Sequence, residues 1–211
     1  MKHLLFLTGA FIVLLAGSAA AAERWPRWYV GLSGFLPYVS KADVSGAAAS
    51  GDLKFGIGGG AAVALGYMPP GNGSFLDAMR FELEYSYRKN SNDSLNGADV
   101  SGDIASKAGM LNVYYDITTG TKWLPYLGLG AGWDQLELNM PGSGISNEHD
   151  SVFAYQLMAG IGYAPETMPR SVFSLGYRFF STAKPEFSGT AGNVKTEYDV
   201  HNLEAGARFA F

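Results

Sequence analysis

Glu82 and Glu84 lie two apart in "MRFELEYSYR", and His149 and Ser151 lie two apart in "NEHDSVF". Paired carboxylates are general acid–base equipment, and a Ser beside a His with a carboxylate to orient it, Glu148 or Asp150, is the equipment of acyl transfer. Two glycine-rich stretches, "GIGGGA" at 56–61 and "GLGAGW" at 128–133, approximate a dinucleotide-binding turn. That turn needs a strand before it and a helix after it, whereas both stretches lie inside continuous strand patterns. Arg80 and Arg88 share a face with the two glutamates, which favours ion pairing over catalysis. His149 and Ser151 fall in a polar loop, where such a pair is common by chance. No catalytic residue is therefore assigned, and a lipid-modifying hydrolase using His149 and Ser151 stays as a minor alternative.

Other chemistries lack their residues. The chain has no Cys, which removes disulfides and thiolate sites. Beyond the leader only His149 and His201 remain, His201 with no evident partner, so neither a transition-metal site nor a cofactor is expected. The formal net charge is -4, and no Lys/Arg cluster offers a phosphate-binding stripe, so nucleic acid is not an expected partner.

The elements that carry these residues have one dominant period. With 28 Gly, 14% aromatic and only 16% charged residues, the composition favours extended chain in close contact over helices. Eight segments alternate with period two, at 28–38, 54–67, 79–88, 107–116, 124–138, 152–163, 171–180 and 196–211. Several reach the 9 to 11 residues with which a tilted strand crosses a bilayer. In the third, Met79, Phe81, Leu83, Tyr85 and Tyr87 share one face and Arg80, Glu82, Glu84, Ser86 and Arg88 the other.

Three features place the apolar face outside. Aromatic residues gather near strand ends, at Trp28, Tyr67, Tyr85, Tyr87, Tyr115, Trp133, Tyr163, Phe209 and Phe211, as girdles at two membrane interfaces would. The opposite faces are too small for a solvated surface: Gly60, Ala62, Ala64 and Gly66 in the second segment, Gly128, Gly130 and Gly132 in the fifth. A narrow barrel interior imposes that size limit. Connections also alternate, long and Gly/Ser/Asn/Asp-rich after the odd segments, shorter after the even ones. The expected fold is all-β: a transmembrane antiparallel up-and-down barrel of eight strands, with long extracellular loops and short periplasmic turns.

This parity gathers Arg80, Glu82, Glu84, Asp134, Arg178, Glu204 and Arg208 inside the barrel, with Asn112, Gln156 and Asn202. Buried charges require partners, so these side chains should pair as a polar plug. The alternative is a charged constriction in a narrow pore.

Residues 1–22 read as a secretory signal peptide: Lys2, the apolar run "LLFLTGAFIVLLAG", then Ala20-Ala21-Ala22 as an A-x-A-like cleavage site. Residues 23–211 would form the barrel domain, integral to the outer membrane and in contact with its lipid.

"WYVGLSG", "PYLGLGAGW" and the terminal "YDVHNLEAGARFAF" resemble the small outer-membrane barrel proteins of Gram-negative bacteria, the opacity-protein-like and OmpA-transmembrane-domain-like group that includes surface antigens. Glu204, Gly206, Phe209 and Phe211 match that group's terminal pattern, polar-x-Gly-x-x-aromatic-x-aromatic. The resemblance implies transient recognition of the last strand by the barrel-assembly machinery. It does not imply peptidoglycan tethering, since the additional domain of full OmpA-type proteins does not follow Phe211. "NEHDSVF" also lacks the Ser-Asn-Ala continuation of the barrel deacylases. The function implied is structural or surface interaction, antigen- or adhesin-like, non-enzymatic. A host or extracellular ligand would bind the loops through residues such as Lys41, Asp43, Asp93, Asp99 and Lys195. The alternative is a narrow porin gated by the interior charges.

Overall fold

A computed structural model describes residues 27–39, 42–46, 51–55, 58–70, 74–95, 98–99, 103–140, 145–183, 186–189, 192–196 and 198–211. The expected signal segment 1–22 lies outside the described residues. Thirteen strands are present among those described: β1 (Arg27–Val39), β2 (Ala42–Gly46), β3 (Gly51–Phe55), β4 (Gly59–Met68), β5 (Met79–Leu95), β6 (Ala98–Asp99), β7 (Asp103–Asp116), β8 (Trp123–Met140), β9 (Ile145–Tyr163), β10 (Ser171–Thr182), β11 (Glu186–Gly189), β12 (Gly192–Thr196) and β13 (Asp199–Ala210).

Eight of them, β1, β4, β5, β7, β8, β9, β10 and β13, pair antiparallel in chain order, and β13 returns to β1. The seam runs from Tyr29↔Ala210 to Val39↔Val200 without a bulge. Closure satisfies the backbone donors and acceptors that an open edge would leave bare.

Period-two alternation decides which side of the wall each residue meets. On β5, Phe81, Leu83, Tyr85 and Tyr87 point outward, with Leu83 59% exposed, while Arg80, Glu84, Ser86 and Arg88 are buried inside. Leu111, Leu129, Leu157, Leu175 and Leu203 continue the outward band around the barrel. Aromatic pairs border it, Trp28 with Tyr67 and Trp123 with Tyr163 at the turn end, Trp133 with Phe153 and Tyr155 with Phe179 toward the loop end.

Inside, large side chains face glycines. A Cβ on Gly66 would overlap the Tyr29 ring, and one on Gly128 would lie 2.5 Å from Tyr114 Cδ1. Such complementarity lets eight strands close around a filled interior.

The strands run further toward the loop end than the sequence pattern indicates. β5 continues to Leu95, β7 begins at Asp103, and β8 and β9 form a hairpin of 18 and 19 residues. Segments expected to be irregular loops thus hold strand, because cross-strand pairing can extend through polar residues whose own alternation carries no signal. The expected second strand, 54–67, is divided: Gly51–Phe55 belongs to β3 and Gly59–Met68 to β4. Above the barrel, β11, β12, β2 and β3 form a sheet continuous with the upper part of β5. Turns at the other end are short, with Gly120 at φ 71° serving the connection between β7 and β8.

Leu83 sits mid-strand between Leu65 and Leu111. Leu83→Arg should therefore cost roughly 2 to 4 kcal/mol in a bilayer. Urea titration of refolding into vesicles, followed by the gel shift between folded and boiled protein, measures this; an unchanged midpoint would contradict the outward assignment.

Candidate functional site: the ion-paired lumen

The interior is stacked in three tiers because the inward residues of successive strands meet at fixed heights. The tier nearest the turns contains Arg80, whose Nε donates to both carboxylate oxygens of Asp116 at 3.0 and 2.9 Å. Its Nη1 donates to Glu82 Oε1 at 2.8 Å and to the Tyr29 hydroxyl at 3.1 Å, and that hydroxyl donates in turn to Glu82 at 2.5 Å. Arg208 Nη2 reaches Asp116 Oδ2 at 3.3 Å. The Arg80 guanidinium lies 4.1 Å from the centre of the Tyr114 ring, which packs edge-on against Tyr126.

The middle tier is organised by Arg178, 1% exposed. Its Nε and Nη2 engage both oxygens of Glu204 at 2.9 and 3.0 Å, and its Nη1 reaches Glu84 at 2.5 Å and Gln156 at 3.1 Å. The remaining Glu84 oxygen accepts from Asn112 at 3.0 Å, and Asn112 accepts from Gln156 at 2.7 Å, which closes a ring of bonds across β5, β7, β9 and β10 to which Glu204 of β13 is attached. Asn202 donates to the Arg178 carbonyl. Planar guanidinium against two carboxylates is the geometry that best offsets the removal of charge from water.

The tier nearest the loops mixes apolar side chains, Phe35, Ile104, Leu136, Phe180, Tyr198 and Val200, with buried Ser86, Asn90, Ser106 and Asp134. Arg88 is embedded there, its guanidinium 4.2 Å from the Phe180 ring centre and 4.9 Å from that of Phe35. Phe35 carries Arg178 on it as well, at 4.8 Å. Arg88 Nη1 donates to Ser86, while Nε and Nη2 have no protein partner. Between the lower two tiers remains a cavity of about 60 Å³, bordered by Arg80, Glu82, Glu84, Arg178, Glu204 and Arg208. It is polar and large enough for a small cluster of waters.

All seven charged residues predicted from parity point inward, though not all pair as expected. Asp134 accepts from the Ser106 hydroxyl at 2.8 and 3.0 Å, not from an arginine, because it lies higher on the wall than Arg178. Arg88 and Asp116 were absent from that set; both occupy inward positions at the margins of the predicted strands, where parity could have found them. Among the described residues the lumen holds four arginines, at 80, 88, 178 and 208, and five carboxylates, at 82, 84, 116, 134 and 204.

Three further sequence expectations need correction. His149 and Ser151 are exposed residues of β9, on a strand and not in a loop, opposite Glu137 and Gln135. His201 does have a partner, since its Nδ1 bonds the Tyr177 hydroxyl on the outer wall, beside Phe179. Of the residues expected at the loops, Lys41 lies outside the described residues, while Asp43, Asp93, Asp99 and Lys195 belong to β2, β5, β6 and β12.

Removing the shared cation should separate the tiers experimentally. Arg178→Met leaves Glu84 and Glu204 without their partner and is expected to cost about 3 to 5 kcal/mol. Arg88→Met removes a guanidinium that bonds only Ser86 and leaves an apolar chain between the Phe35 and Phe180 rings, and is expected to cost far less. Equal losses of folded-state stability in the two variants would refute this division of the lumen.

Comparison with known proteins agrees with the architecture. The family model of the outer membrane protein beta-barrel domain matches residues 7–211. Outer membrane protein PagN of Salmonella typhimurium is 27% identical over 187 residues, covering 79% of this chain and 75% of PagN. Neisserial surface protein A superposes with a TM-score of 0.58 at 20% identity, over 89% of this chain and 100% of the other. OprG of Pseudomonas aeruginosa gives 0.59 at 16% identity, over 89% and 97%. The two structures establish likeness of fold. Closed, apolar outside and ion-paired within, this chain belongs to the outer membrane protein beta-barrel domain family and is an integral protein of the outer membrane.

Proposed function

We propose that this chain is a non-enzymatic surface-interaction protein, a rigid barrel that displays an extracellular β-structure to ligands or host surfaces. The observation carrying this reading is the contrast between its two ends. Among the described residues the lumen is occupied by the Arg178 network and the Arg88 tier above it, with a polar cavity of about 60 Å³ between arginines and carboxylates. The strands meanwhile rise well past the bilayer: β8 and β9 have 18 and 19 residues where about 9 to 11 suffice to cross, and β2, β3, β11 and β12 add a sheet at the same end. Paired strand is a stiffer support for recognition than an irregular loop, and binding residues are commonly carried by connections on a rigid scaffold. The ligand class would be an extracellular macromolecule contacted at the loop end, through Lys41 and through Asp43, Asp93, Asp99 and Lys195 of β2, β5, β6 and β12.

Assembly belongs to the same proposal. Phe209 and Phe211 face outward, Glu204 and Gly206 inward, and the Phe211 amide donates to the Trp28 carbonyl at 2.9 Å beside the seam. A last strand with an outward aromatic pair offers the barrel-assembly machinery both a free edge to pair with before closure and side chains to hold. Deletion of Phe211 is expected to lower the yield of folded protein in the outer membrane several-fold; an unaltered yield would remove this role.

Exchange of the β8–β9 tip, residues 139–147, or of residues 184–197 for short Gly/Ser turns should abolish attachment of expressing cells to host cells or matrix while leaving the heat-dependent gel shift intact. Attachment unchanged in both variants would defeat the surface-interaction reading. Planar-bilayer recordings address the porin alternative: the native barrel should be silent, and steady conductance sensitive to Arg178→Ala would favour the pore instead.

A further inference from the structure

The turn joining β4 to β5 carries an exposed apolar pair that the strands do not require. Residues Phe75–Ala78 form a single 3-10 turn. Ser74 and Asp77 lock it reciprocally: the Ser74 amide donates to Asp77 Oδ2 at 3.1 Å, its hydroxyl reaches Oδ1 at 3.4 Å, and the Asp77 amide donates to the Ser74 carbonyl at 3.1 Å. With the polar pair satisfied internally, Phe75 and Leu76 are presented outward, 69% and 52% exposed. Phe75 does not project along the barrel axis into the periplasm. It folds sideways and stacks on Tyr115 of β7, ring centres 5.3 Å apart and planes 20° from parallel.

Tyr115 is an outward residue of the girdle at the periplasmic end, so Phe75 lies against the outer wall at the level of the lipid interface, at the same end as the Trp28–Tyr67 pair of β1 and β4, from which β5 separates it. We propose that residues 74–78 form an interfacial anchor, with Phe75 and Leu76 inserted among the headgroups and upper acyl segments of the periplasmic leaflet and Ser74 and Asp77 held at its aqueous side. The partner is a phospholipid surface. An aromatic ring and a Leu standing at the boundary gain by leaving water, and a locked turn loses little freedom on insertion. The next turn supplies a built-in contrast: Thr118, Thr119 and Thr121 are exposed, and Thr119 and Thr121 bond to one another and to the Trp123 backbone. That connection is polar and should remain in water.

The chain's lack of Cys makes the test direct. Leu76→Cys, Thr118→Cys and Leu127→Cys, each carrying a nitroxide in phosphatidylethanolamine/phosphatidylglycerol vesicles, report collision with dissolved oxygen and with a water-soluble nickel chelate. All three variants are first required to show the gel shift of a folded barrel, and Leu76→Ser without label supplies a second reading through the temperature at which that shift is lost in vesicles. The label at 76 is expected to collide with nickel several-fold less often than that at 118 and to approach the lipid-facing label at 127. Leu76→Ser is expected to lower the transition temperature in vesicles but not in detergent micelles, which adapt to the turn. Nickel access at 76 equal to that at 118 would overturn the anchor and leave the pair available to a soluble periplasmic partner.

Discussion

Hydrocarbon accepts no unpaired amide, and the rest of this molecule follows from that constraint. A chain of short strands can satisfy it only by returning its last strand to its first, and the uninterrupted β1–β13 register does so. Closure at eight strands then fixes a narrow cross-section. The narrowness accounts for Gly66 under Tyr29 and Gly128 under Tyr114, and for a lumen filled by side chains. Since lipid lies outside, the usual distribution is reversed: Leu, Phe, Tyr and Trp form the surface, while arginine and glutamate form the core.

That reversal makes the polar interior a matter of geometry more than of total charge. Arg178 sits where β5 and β13 both bring carboxylates to its height, so one guanidinium serves Glu84 and Glu204 together. Arg80 does the same for Glu82 and Asp116 one tier lower. Arg178 thereby ties β10 to β5, a strand distant in sequence, which resists shear between staves as well as neutralising charge. Arg88 differs, being accommodated by the faces of two Phe rings, a weaker but orientation-tolerant form of support.

The two ends answer to different solvents. At the periplasmic end the turns are short, and the chain meets lipid through the Phe75–Tyr115 stack and the neighbouring Trp–Tyr pairs. At the extracellular end the same hydrogen-bonded ladder continues past the girdle. A stiff support standing clear of the membrane is suited to recognition, and evolution can alter its tips without disturbing the staves beneath.

Period-two alternation in the sequence was enough to determine which face of each membrane strand is inside, and with it the inward placement of Arg80, Glu82, Glu84, Asp134, Arg178, Glu204 and Arg208. The even number of strands and the side of the long connections were legible for the same reason: hydrophobicity repeats where lipid selects it. Pairing was not legible, because it depends on the height at which each inward residue meets its neighbours, and height is set by the register of all eight strands at once. Tertiary structure alone decided that Asp134 bonds Ser106, that Asp116 joins Arg80 and Arg208, and that His201 meets Tyr177. It also decided how far the strands continue beyond the membrane. Past the aromatic girdle lipid no longer selects apolar residues on the outward face, and the backbone ladder is what records that the polar stretches are strand.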